Sequence, residues 1–257
     1  MATSEPIVIP YLESPPDEQP FSRLNEILEV IKNKLEQPIS ALAEAQNLLE
    51  EAKRPPPEME TWMRLLRLQA YTKYYNVGTV LERTKEFSDK VVIPFMGRFP
   101  LDKSDRTLGG IDMAQKASRT TAAEWEEAEK EMNEFSDGIT TTLEKLRGVL
   151  DEGKGRGPVA TVLMETSLQA VNELLGVVKE ACTILGKTSG YLRGIEKDIQ
   201  SEKLIGLELQ PGEIETMKKR WEAFSESMNT LDCIAFKDIV GMAIFLGSLR
   251  SGLSGLI

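Results

Sequence analysis

Apolar residues recur three and four positions apart along most of this 257-residue chain, and prolines and glycines interrupt that rhythm at only a few places. Such spacing gathers the apolar side chains on one stripe of an α-helix. The longest uninterrupted stripes are Ala114, Ser118, Thr121, Trp125, Ala128, Met132, Phe135, Ile139, Leu146 and Val149, and then Met164, Leu168, Val171, Leu175, Val178, Cys182, Leu185, Ser189, Leu192 and Ile199. Each predicts a helix of about 40 residues, about 60 Å long at 1.5 Å per residue. The turn DEGKGRG (151–157) between them is short, so the two are antiparallel neighbours. The reading is all-α: an elongated antiparallel bundle of about five helices, several of them unusually long, with coiled-coil-like packing.

The interruptions divide the chain. Residues 1–19 hold four prolines and read as an extended or disordered arm, with Ile7, Val8, Ile9 and Tyr11 available to strap it to the body. Residues 20–257 read as one helical-bundle domain with an apolar C-terminal segment, 239–257. The first helix begins near Pro20, with Ser22 as a loose N-cap, and Pro38 predicts a kink or a short break in it. Pro55, Pro56 and Pro57 separate it from a second helix, about 58–92, which Pro94 is expected to stop. Residues 93–111 read as a long, partly apolar loop. The third helix is expected over 112–150 and the fourth over 158–204. A second apolar line on the fourth (Leu174, Ala181, Ile195) makes it the central helix. A fifth helix follows Gln210-Pro211-Gly212.

Composition excludes several functions. The chain has no histidine, which removes the serine and cysteine triads, imidazole metal ligands and the commonest general base. Its net charge of -10 and the lack of a Lys/Arg run exclude a nucleic-acid partner. No catalytic, cofactor-binding or metal-binding residues are assigned, and no cofactor is expected. There is no signal peptide, so the expected location is cytoplasmic, either peripheral to a membrane or inserting in one under the second reading below. Cys182 and Cys233 then read as reduced, buried thiols, with their pairing left open.

Three motifs read as structural. ACTILGKT (181–188) fits a permissive phosphate-loop pattern, but bulky residues fill the loop positions and no strand precedes it, so it reads as a chance match inside a helix. Glu124, Glu127, Glu131 and Glu134 lie opposite an apolar stripe and read as a solvated face rather than a metal site. Tyr71, Tyr74 and Tyr75 read as core or half-buried packing before a recognition patch.

Residues 239–257 are the sharpest feature. They carry one charged side chain, Arg250, and read first as a buried helix with a tail, second as a membrane-interacting or switching segment. An acidic bundle of long helices with one apolar segment resembles, in architecture only, the α-helical pore-forming toxins of the cytolysin A type. No residue role is carried over from them. Two functions follow as expectations. The first is a non-enzymatic interaction or assembly protein, with a protein partner or self-assembly as its target. The second is a membrane-active bundle that releases an apolar segment into lipid. An enzyme working through Lys, Tyr or carboxylates ranks third. The contact residues expected for either of the first two are Ile239, Val240, Met242, Ile244, Phe245, Leu246 and Leu249, with Phe95, Met96 and Phe99 from the apolar loop.

Overall fold

The computed structural model describes residues 9–51, 58–99, 101, 110–152, 157–200, 204 and 209–231. Among these the chain is all-α. The helices are α1 (Pro10–Glu13), α2 (Gln19–Asn33), α3 (Glu36–Glu51), α4 (Met59–Phe87), α5 (Ile93–Met96), α6 (Gly110–Asp151), α7 (Pro158–Gln200) and α8 (Pro211–Met228), with a π-turn over Ser88–Val92 that joins α4 to α5.

Cross-helix bonds fix the directions. Along α6 and α7, Arg119 meets Glu196, Glu126 meets Arg193 and Glu129 meets Ser189, so the two run antiparallel. On α4 and α6, Arg83 meets Glu124 and Lys73 meets Glu131, again antiparallel. Arg23 of α2 bonds Glu180 of α7, and Lys34 just beyond α2 bonds Glu173. Arg67 of α4 reaches Glu36 of α3. The result is an up-down-up-down four-helix bundle whose first member is broken into α2 and α3. The long α7 packs against α6, α3, α2 and α1, as its broad apolar face requires. Every residue of the α6 stripe named above is buried. α8 lies against the π-turn, α5 and the end of α4.

Proline placement shows local chemistry at work. The break in the first helix comes at Lys34 and Leu35, and Pro38 sits within the first turn of α3, where its missing N–H has no intrahelical partner to lose. The helix also starts earlier than Ser22: the Asp17 carboxylate accepts the Gln19 N–H at 3.1 Å. Pro94 does not stop the second helix. The Ile93 N–H donates to Ser88 O, one residue further back than in an α-helix, and the widened turn carries the proline through into α5. The expected loop is therefore helical at 93–96 and again from 110, and Leu101 is buried. In the arm, Pro10 stands in the first turn of a single helical turn, Pro10–Glu13, which packs against α7.

An aromatic cluster ties α2, α6 and α8 together at one end. Phe21 meets Trp125 at 5.7 Å between ring centroids and Phe224 at 5.4 Å, and Phe224 meets Trp221 at 5.8 Å, all edge to face. Trp125 Nε1 donates to Thr84 Oγ1 of α4 at 2.7 Å, so the buried indole carries no unpaired donor.

Candidate functional site: a groove beside the π-turn

The start of α6 runs alongside the end of α4 and the widened turn. Between them lies an open groove of about 550 Å³, continuous with a hollow of about 150 Å³ at α5. Its floor is apolar: Phe87 and Val91 from the α4 side, Ala114 and Ala117 from α6. The small side chains at 114 and 117 keep it open. Met113 stands at the edge with 74% of its surface exposed, the most exposed large hydrophobic residue among those described. Pro94 and Phe95 close the α5 end.

The rim is charged. Arg83, Lys90, Arg98 and Lys116 line the groove, against the carboxylates Glu86 and Glu124. Arg83 is paired with Glu124, and Lys90 with Glu86 at 2.5 Å, a hydrogen bond that holds the ammonium above its ordinary range. Arg98 and Lys116 form no ion pair with another described residue. Among the described residues that line it, the groove thus carries a surplus of positive charge in a chain of net charge -10. The inner side of the π-turn is fixed: Ser88 Oγ donates to Trp221 O at 3.3 Å, and Asp89 binds Ser225 and Lys85. Burial works to raise the Asp89 carboxyl, and the hydrogen bonds from Ser225 and Lys85 outweigh it, leaving it below its ordinary value.

Of the expected contact residues, Phe95 and Met96 are buried and Phe99 is half-buried, packed edge to face on Phe95. Phe95 reaches the groove only as its end wall. Ile239, Val240, Met242, Ile244, Phe245, Leu246 and Leu249 lie outside the described residues, as does Cys233. Cys182 is half-buried, and burial pushes its thiol up to about 11, which keeps it protonated and a poor nucleophile. Residues 181–188 fall in the middle of the continuous helix α7. The Glu124–Glu134 face is not simply solvated: Glu131 accepts from Lys73 at 3.1 Å and Asn76 at 2.5 Å across to α4. Tyr71 and Tyr74 are half-buried and Tyr75 is exposed.

Sequence reading overlooked Met113, Lys90 and Lys116. The available signal was Met113 standing one position before a buried stripe that opens at Ala114, but only the π-turn sets Lys90 and Val91 opposite it. Among the described residues no helix is long and apolar enough to cross a membrane, and no group of three or more Cys, Asp or Glu side chains is placed to hold a metal ion. Compared with protein families, curated proteins and solved structures, the chain matches none.

Proposed function

We propose that this chain is a non-enzymatic interaction and assembly protein, and that the groove beside the π-turn takes an acidic amphipathic helix of a partner protein. The observation that carries the reading is the pairing of an apolar floor with surplus cations on an otherwise acidic chain. A partner helix laid in such a groove buries its apolar face on Phe87, Val91 and Met113 and sets its carboxylates against Lys116 and Arg98.

Synthetic 18-residue amphipathic helices, one with glutamates and one with lysines on the polar face, provide the test. The acidic peptide is expected to bind and the basic one not. Met113→Glu should weaken binding at least tenfold, about 1.4 kcal/mol, and Lys116→Glu should weaken it further at low salt. Equal binding of both peptides, or indifference to Met113→Glu, would sink the reading.

A second reading, the membrane-active bundle, draws on the uncharged run 239–249. Co-sedimentation of the full chain and a 1–238 truncation with phosphatidylcholine and phosphatidylserine vesicles separates the two. Lipid binding by the full chain alone would favour the membrane reading. No lipid binding by a folded full chain would leave the helix partner in place.

A further inference from the structure

We infer that the end of α7 together with α8 forms a peptide-binding seat, and that residues 9–14 are its detachable occupant, equally able to come from a second copy of this chain. Most of the polar recognition in the seat is directed at main-chain groups of the arm. The Asp198 carboxylate accepts the N–H groups of Tyr11 at 2.8 Å and Leu12 at 3.0 Å. Trp221 Nε1 donates to Leu12 O at 2.9 Å. The Tyr191 hydroxyl donates to Tyr11 O at 2.6 Å and lies against Ser14 O. Arg220 reaches Glu13 O at 3.4 Å and Ser14 Oγ at 3.0 Å. Reading backbone groups while taking single side chains into pockets is how folded domains capture short segments of other chains.

Two of the side chains are buried in the seat as well. Leu12 is fully buried and Ile9 nearly so. The Tyr11 ring stacks edge to face on Tyr191 at 5.3 Å and lies so close over Gly194 that a Cβ there would stand 2.5 Å from it. The seat is thus cut to this segment, and Gly194 is the position that admits the ring. Beyond Ser14, which is extended, the Pro15-Pro16-Asp17 link makes no hydrogen bond to α7 or α8; among the described residues its one bond is Asp17 to Gln19. A stiff link of this kind, itself unbonded to the seat, is a hinge at which an identical segment of another copy can be exchanged.

The test uses the full chain with a protease site replacing residues 15–18. After cleavage, a fluorescent peptide of residues 1–14 is added in excess. It is expected to displace the resident segment and bind saturably, with a change in tryptophan fluorescence from Trp221. Gly194→Ala should weaken the peptide at least tenfold while leaving helix content unchanged, since alanine favours a helix over glycine. A scrambled peptide should not bind. Release of the segment without rebinding overturns the inference. So does unfolding on cleavage, or equal affinity for the Gly194→Ala chain.

Discussion

Two buried hydroxyls put opposite demands on the core. Thr84 Oγ1 accepts from Trp125 Nε1 at 2.7 Å and donates to Val80 O at 2.8 Å, so it is satisfied on both sides. Replacing it with the isosteric valine leaves the indole N–H unpaired in a buried site. Thr84→Val should cost about 1–3 kcal/mol, read from the urea midpoint. Ser118 Oγ is buried with no hydrogen-bond partner among the described residues. Ser118→Ala removes that orphan and should stabilise the fold by about 1 kcal/mol in the same measurement; a loss of stability would mean the hydroxyl has a partner. Spacing alone puts Ser118 on a buried stripe. Polar partners are out of its reach, because a stripe says which face is inward and not which polar atom on a neighbouring helix lies opposite.

Helix existence follows from apolar spacing, and helix ends follow from local hydrogen bonding, so the two were predicted unequally well. α6 and α7 appear over nearly the expected residues. α8 opens with a reciprocal cap, Gln210 N–H donating to Glu213 at 2.8 Å, at the break that Gln210-Pro211-Gly212 announces, with Pro211 and Gly212 inside its first turn. The π-turn had no such herald. Pro94 ordinarily ends a helix, and here α8, bonded to Ser88 and Asp89, packs against the widened turn. That is why the groove could not be read from the sequence: its two walls depend on a tertiary contact. Pro38 offers a sharp check at this scale. Within the first turn of α3 it costs no hydrogen bond, so Pro38→Ala should destabilise by no more than about 1 kcal/mol, through a freer unfolded chain. A gain near 3 kcal/mol would place Pro38 in a helix interior instead.

Ion pairs bridge the helices of the bundle, and their response to pH can be signed. Hydrogen bonds from Arg193 hold Glu126, and from Arg23 hold Glu180, below the ordinary value of 4.5. Burial works to raise Glu196, and hydrogen bonds from Arg119 and Arg193 outweigh it, so it too is lowered. A carboxyl lowered in the folded state contributes stability that is full above the unfolded value and is lost as pH falls through the folded one. Asp198 runs the other way: burial raises it above 3.8, more than the N–H groups of Leu12 and Tyr11 lower it. Its charged form opposes folding, and that penalty is relieved as pH falls through its raised value toward 3.8. Urea midpoints between pH 3 and 7 should therefore fall with acid in the native chain. Glu196→Gln should flatten the profile, because it deletes a group that loses stability on protonation. Asp198→Asn should steepen it, because it deletes a group that offsets the loss. Adding 1 M salt should move the midpoint little at pH 7, since Arg23–Glu180 and Lys34–Glu173 are largely exposed and such pairs are worth little each. Parallel profiles for all three chains would show that these carboxylates do not set the acid limit. The stability of the bundle would then rest on the buried stripes alone.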